Sequence, residues 1–413
     1  MLIIVRTDGK VKLRRSIRQC SGYANSKERG EKAMRQEKAL QMNERRVQPR
    51  DVLGRMTPYS PGKPIWEVQE ELGLEDVVKL ASNENPLGPS PRAVEAAAAM
   101  LPELHRYPDA GAVRLRQAIA LNKGLSEEEL IITNGGDELI TLIAEAYLDP
   151  GDEVITPAPT FSEYAFGTLL MNAEVVRVPL GEGFRCSADA LLAAVTGRTK
   201  LIWLCSPNNP TGTYLPAGEL RRLLDSLPSG VLVVYDAAYS HYVTADDYTD
   251  GLELVREGYP LVVLQTFSKI YGLAGLRVGF GAAPREVVRT LLQVKEPFNV
   301  NALAQAAAAA ALADQGHVEA ARELNGQGRQ KLYAACRELG LECTESMANF
   351  VLVRLGPGAE QACGRLLAQG IILRYGGSWG LTEHVRISIG TAEEMDRLIA
   401  ALRELWKKNG GPA

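Results

Sequence analysis

A chain of 413 residues is too long for one core and predicts two large domains. Hydrophobic residues make up 46% and charged residues 23%, the balance of a soluble globular protein, and the net charge of −4 singles out no partner. No apolar run approaches the roughly 20 residues that span a bilayer, and the N-terminus lacks the apolar core of a signal peptide, so no membrane partner is expected.

The six cysteines include no Cys-x-x-Cys pair and the four histidines are scattered, so no metal site is expected. Nothing reads as a disulfide framework, which points to a reducing, cytoplasmic compartment.

Residues 1–46 stand apart. They carry thirteen Lys and Arg against five Asp and Glu, a net of +8, which leaves −12 for the rest. Without a sustained apolar stripe they read as a basic, flexible extension. Such charge also fits a nucleic-acid-binding arm. No helix-turn-helix pattern accompanies it, and no nucleic-acid partner is expected.

From Val47 the composition normalises. Met56 to Pro64 is extended and punctuated by prolines, and residues 65–72 read as a short helix; the segment 47–75 is expected to join the smaller domain. Residues 79–91, with the run Asn83-Glu84-Asn85-Pro86, form a rigid loop, and 91–100 a helix with proline at its start. Strands are then expected at 130–133, 153–156, 174–179, 201–205, 231–235, 261–264 and 276–281, alternating with helices such as 138–148. Near-continuous apolar strands separated by helices predict an α/β fold with a mostly parallel sheet covered on both faces, over residues 76–300. Beyond about Asn301 come alanine-rich helices and strands at 348–353, 371–374 and 385–389, which read as a smaller α+β domain over 301–413.

In open α/β sheets the ligand lies beyond the carboxyl ends of the strands, and polar residues gather at those ends here. Lys269 follows the apolar run 261–264, next to Ser268, with Arg277 eight residues on. A lysine amine can form a Schiff base with a carbonyl, while a serine hydroxyl and an arginine fork suit a phosphate. A carbonyl compound that also carries a phosphate is pyridoxal 5'-phosphate. Asp236, after another apolar run, can pair with a protonated pyridine nitrogen; it can equally be a helix N-cap. Asn209 and Tyr239 can hydrogen-bond the ring's phenolic oxygen, although Asn-Pro-Thr-Gly is also a common turn. Gly135-Gly136-Asp137 opens a helix whose N-terminus can hold a phosphate. Phe161 can stack on the ring or simply pack, and Tyr107 can reach a phosphate or shape a Tyr-Pro turn. Asn209, Asp236 and Lys269 are spaced 27 and 33 residues apart, each about one strand–helix–strand unit.

The motifs 57–64 (TPYSPGKP), 80–89 (LASNENPLGP), 106–109 (RYPD), 206–212 (SPNNPTG) and 386–391 (RISIGT) resemble those of the class I/II aminotransferases of fold type I, over residues 47–406, and within that family the histidinol-phosphate aminotransferase group. The resemblance implies amino acid and 2-oxo acid substrates, with an amino group moving between L-histidinol phosphate and 2-oxoglutarate. It implies that Lys269 bonds covalently to the cofactor, that Asp236 pairs with its pyridine nitrogen, and that Gly136, Asp137, Ser268 and Arg277 cup its phosphate. It further implies a homodimer with composite sites, in which Tyr107 reaches the neighbouring cup. Arg386 would bind the substrate α-carboxylate or its equivalent, and Arg374 and Tyr59 the distal anionic group, with Asn83 among the substrate contacts. An aromatic amino acid aminotransferase and a threonine-phosphate decarboxylase are the alternatives on this scaffold. The chain departs from the pattern at Ala237, where relatives usually have glutamate, and at Phe161, where many have tyrosine.

Overall fold

The computed structural model describes residues 47–56 and 62–408, with the backbone of 4–7 and 10–13 and the single residue Met34. The expectations for the greater part of residues 1–46, and that for Tyr59, lie outside the described residues. By contact the chain divides into two units, Met1–Arg55 and Met56–Ala413. In the first, β1 (Ile4–Thr7) and β2 (Lys10–Leu13) pair as an antiparallel hairpin.

In the second unit the apolar runs become strands. β3 is Val78–Lys79, β4 Leu130–Thr133, β5 Glu153–Ala158, β6 Glu174–Pro179, β7 Thr199–Cys205, β8 Leu232–Asp236, β9 Leu261–Thr266 and β10 Gly279–Ala282. A seven-stranded sheet follows the order β4-β10-β9-β8-β7-β5-β6. β5 to β9 pair in parallel, as expected for strands buried on both faces. β10 is the exception and runs antiparallel to both β4 and β9. The expected strand at 276–281 begins later than the apolar run. Ala274–Leu276 forms a 3-10 turn and Arg277 sits in the left-handed region (φ 55°), so the chain reverses before it can pair. Helix Gly135–Tyr147 starts earlier than expected and takes the two glycines into its first turn.

A four-stranded antiparallel sheet in the order β11-β12-β15-β14 is built from Glu342–Cys343 (β11), Phe350–Arg354 (β12), Arg374–Tyr375 (β14) and His384–Ser388 (β15). The expected strand at 371–374 divides. Ile371–Ile372 (β13) pairs in parallel with β3, and only Arg374 onward joins β15. Of the alanine-rich helices, Ala302–Ala313 packs its buried alanines into the same apolar cluster as β8 and β9, while Leu332 and Cys336 of Gln315–Glu338 join the cluster under β12 and β15. Each buried Val, Leu or Ile contributes about 1.5–3 kcal/mol.

The loop after β9 is pinned against the Asn-rich loop. Asn85 Nδ2 donates to Ile270 O (2.8 Å), and His317 Nε2 lies 3.0 Å from Gly88 O. Gly272, at φ +68°, lies so close that a Cβ there would be 2.2 Å from Gly88 O and 2.5 Å from Gly88 C. Both clashing atoms are backbone, so neither loop can yield by a rotamer change. Gly272→Ala combines a left-handed strain of about 1–2 kcal/mol with overpacking of about 1–3 kcal/mol. Thermal unfolding is expected to show a clear loss of stability, whereas Gly275→Ala, with open space at its Cβ, stays near the parent. Equal melting temperatures for the two variants would show that the contact does not fix the loop.

Candidate active site

β4 to β9 all run the same way in the main sheet, so their carboxyl ends share one edge. A cavity of about 280 Å³ opens there, and of the expected site residues that are described, all but Tyr107 line it. From the strand ends come Asp236 after β8, and Ser268 and Lys269 after β9. The loop after β7 supplies Asn209, and the loop after β5 supplies Phe161. Gly136 and Asp137 belong to the first helical turn after β4. Asn83 follows β3, and Arg374 and Arg386 come from β14 and β15.

Asp236 is buried, 6% exposed. Its Oδ2 accepts from the Tyr164 hydroxyl at 2.6 Å and its Oδ1 from the Ala238 N–H at 2.9 Å. Burial pushes its pKa up to about 6, against the pull of those hydrogen bonds. Tyr164 itself stacks on Trp203, with ring centroids 5.0 Å apart. This tyrosine escaped the sequence reading. It follows Phe161 by three residues, which places it one turn into helix Ser162–Leu170 and beneath the residue at its N-cap.

Lys269 Nζ lies 3.4 Å from Ser82 O and 5.7 Å from the Tyr239 ring. Burial, with the nearby Arg386 charge, lowers its pKa from 10.5 to about 8. The Tyr239 hydroxyl accepts from Asn83 Nδ2 at 3.0 Å, and burial raises its pKa. Asn83, at φ +56°, commits its remaining groups nearby. Its N–H donates to Ser388 Oγ (2.9 Å), its Oδ1 accepts from that hydroxyl (2.8 Å), and its carbonyl accepts from Asn349 Nδ2 (2.9 Å). Its side chain therefore orients Tyr239 as well as lining the cavity.

At the other end, Arg277 donates from Nη1 to Ser268 Oγ (3.3 Å) and Ala274 O (3.2 Å), and from Nη2 to Asp137 Oδ2 (3.1 Å). A Cβ on Gly135 would stand 2.5 Å from Arg277 Nη2, so glycine is what lets the guanidinium close over the helix N-terminus. The N–H groups of a first helical turn lack intrahelical acceptors and favour anions. Arginine, a serine hydroxyl and a helix N-terminus thus converge as a phosphate cradle. With an acid at the far end and an amine between, this donor set fits pyridoxal phosphate.

Arg374 and Arg386 are Cα partners in the antiparallel pair β14–β15, so both side chains leave the same face of the sheet. Arg386 is 6% exposed and donates to Asn209 Oδ1 and Ala81 O, both at 2.5 Å. Both guanidiniums share the ring of Trp379, at 5.7 Å for Arg374 and 5.2 Å for Arg386, and Arg386 also lies 5.3 Å from the Phe350 ring. Trp379 was also missed, since nothing in its local sequence marks it.

Tyr107 lies outside this cavity. It is 83% exposed and stacks on Phe298, with centroids 4.8 Å apart. Among the described residues, no group of three or more His, Cys, Asp or Glu is placed to hold a metal, and no helix is long and apolar enough to cross a membrane.

The profile of aminotransferase class I and II matches residues 75–402. Histidinol-phosphate aminotransferase from Moorella thermoacetica is 47% identical over 86% of this chain and 92% of its own length. The enzyme of that name from Bacillus subtilis strain 168 is 43% identical over 86% and 98%. Among solved structures, histidinol-phosphate aminotransferase from Sinorhizobium meliloti, in complex with pyridoxal-5'-phosphate, superposes with a TM-score of 0.81 at 27% identity, covering 88% of this chain and 99% of that one. Aspartate aminotransferase from Thermus thermophilus, with maleate, gives 0.76 at 26%, covering 87% and 100%. With its mostly parallel central sheet and its match over most of the chain, the protein belongs to the aminotransferase class I and II family, on the fold-type I scaffold.

Proposed function

We propose that the protein is a pyridoxal phosphate-dependent histidinol-phosphate aminotransferase, moving an amino group between L-histidinol phosphate and glutamate's 2-oxo acid. The observation that carries the substrate assignment is the direct pairing of Arg374 with Arg386 across two strands. Two cations on one face suit a dianionic phosphate or the two carboxylates of glutamate. An aromatic amino acid answers only one of them.

The cofactor, when bound, supplies an electron sink for the bond at the substrate carbon. The chain's residues do the rest. Arg277, Ser268 and the N-terminal turn at Gly136 and Asp137 hold its phosphate. Asp236, kept in place by Tyr164, would hold a proton on the ring nitrogen. Phe161 and Ala238 line the cavity where they could pack against the ring, and Asn209 and Tyr239 would donate to its phenolic oxygen. Lys269 Nζ would be the covalent anchor and, with its lowered pKa, the group that could hold and move a proton at the substrate carbon. Arg386 fixes the α-carboxylate or its equivalent, and Arg374, with Tyr59, the distal anion.

We further read residues 76–300 as the cofactor-binding domain and 301–413 as the smaller one. The exposed Tyr107–Phe298 stack supports a homodimer in which Tyr107 serves the neighbour's phosphate cradle. The free thiols Cys186, Cys205, Cys336, Cys343 and Cys363 support a cytoplasmic location.

Three measurements follow. The lysine must be neutral to attack an aldehyde, so uptake of pyridoxal phosphate by the apoprotein, read by absorbance, should rise about tenfold per pH unit and level off near pH 8. An ordinary lysine would keep rising toward pH 10.5, and that outcome would contradict the lowered pKa. Arg386→Lys loses the bidentate fork, and kcat/KM for glutamate should fall roughly 10- to 150-fold, from about 1.5–3 kcal/mol of charge-assisted hydrogen bonding. An unchanged value would remove Arg386 as the clamp. Arg374→Ala, assayed donor by donor, tests the substrate itself. Histidinol phosphate and glutamate should each lose on the order of 2 kcal/mol, roughly 30-fold, while any activity on phenylalanine or tyrosine is spared. Equal losses for all donors would make Arg374 structural, and no loss for histidinol phosphate would favour the aromatic aminotransferase.

A further inference from the structure

Away from the active site, two cysteines meet where the long helix Gln315–Glu338 turns back into β11. Cys336 sits in the helix's last turns and is 1% exposed. Cys343 ends β11, the edge strand of the four-stranded sheet, and is exposed. The turn between them is tight. Gly340 adopts φ +65°, Gly340 N donates to Arg337 O (3.3 Å) and Leu341 N to Cys336 O (2.8 Å). β11 therefore doubles back along the helix end, and the two thiols come within hydrogen-bonding reach. Cys343 also opens onto a second cavity, of about 310 Å³, that it shares with Arg185, Arg354 and His384. A small reagent can reach Cys343 from solvent, while Cys336 waits behind it.

We propose that Cys343 and Cys336 form a reversible thiol–disulfide site, with Cys343 the thiol attacked first by a hydroperoxide and Cys336 the resolving thiol. The Cys343 thiolate displaces hydroxide from the peroxide O–O bond, giving a sulfenic acid, and the hydroxide takes up a proton to become water. The Cys336 sulfur then attacks the Cys343 sulfur, forming the S–S bond and releasing the sulfenic oxygen as a second water. Two thiols are oxidised and one peroxide is reduced. An external dithiol reverses the step.

Among the described cysteines, the chemistry of the other thiols favours this pair. The hydrogen bond from Cys336, assisted by the Arg337 charge, lowers the pKa of the exposed Cys343 thiol. Burial pushes Cys186 and Cys363 up to about 12 and Cys205 higher still. The thiolate is the nucleophile, so Cys343, exposed and with its pKa lowered, outcompetes thiols whose pKa burial raises.

The test uses the full-length holoenzyme with limiting hydrogen peroxide. Intact mass should fall by two hydrogens per chain, peptide mapping should join the Cys336 and Cys343 peptides, and dithiothreitol should reverse both. Cys343→Ser should prevent the mass change. Cys336→Ser should leave a sulfenic acid on Cys343 that dimedone traps. The parent protein alone decides the matter should that buried variant fold poorly. A disulfide joining any other pair, or Cys343 oxidised without linkage to Cys336, would overturn the proposal.

Discussion

A buried guanidinium has to be met by acceptors, because an uncompensated charge out of water is strongly destabilising. Arg386 is that charge, and its acceptors come from far apart in the chain. Ala81 O belongs to the loop after β3, and Asn209 Oδ1 to the loop after β7. The loop after β3 reaches further through Asn83, whose groups meet Ser388 on Arg386's own strand, Tyr239 beyond β8, and Asn349 before β12. The demand of one cation thus draws three stretches of backbone around a single volume, and that volume is the pocket. Asn209 is tied to Arg386, so the β7 loop and β15 are mechanically one piece at the pocket.

Along the pocket's length, burial moves an acid and a base in opposite directions. Asp236 is pushed up to about 6 although two donors pull it down, and Lys269 is drawn down to about 8. Desolvation favours the neutral form of each. An acid poised in this way gains most from a cation brought against it, which a protonated pyridine nitrogen provides. A lysine poised in this way is a better nucleophile and proton carrier at neutral pH than an exposed one. Tyr164 belongs to this balance, since its hydroxyl at 2.6 Å keeps the carboxylate from neutralising further.

The strand ends were legible in the sequence because each apolar run stops at a polar residue that lines the cavity: Asp236 closes β8, and Lys269 follows β9 within three residues. What escaped the reading depends on partners distant in sequence. Periodicity cannot show that Arg277 turns left-handed and sends β10 antiparallel, nor that Ile372 and Arg374 belong to different sheets. Trp379 acquires its meaning only from two arginines that fold against it. Tyr107 was legible as a motif but stands outside its own chain's pocket, 83% exposed.

The arginine pair itself is a departure from what stability alone would choose. Like charges directly opposite on adjacent strands repel, and one of these two is almost fully buried. The sheet moderates the repulsion locally. The Trp379 ring lies beside both guanidiniums, and Arg386 has a second ring in Phe350, each offering its negative face to cationic charge. Carbonyl and amide oxygens absorb the inner charge, while the outer one stays nearer water. A ligand that brings negative charge at this face therefore gains twice, from its own contacts and from relieving repulsion already present in the free protein. Binding energy of this kind is available only to an anion of the right reach. An exposed arginine pair, screened by water and salt, would not discriminate as sharply; the burial of Arg386 is what turns two ordinary charges into a selector.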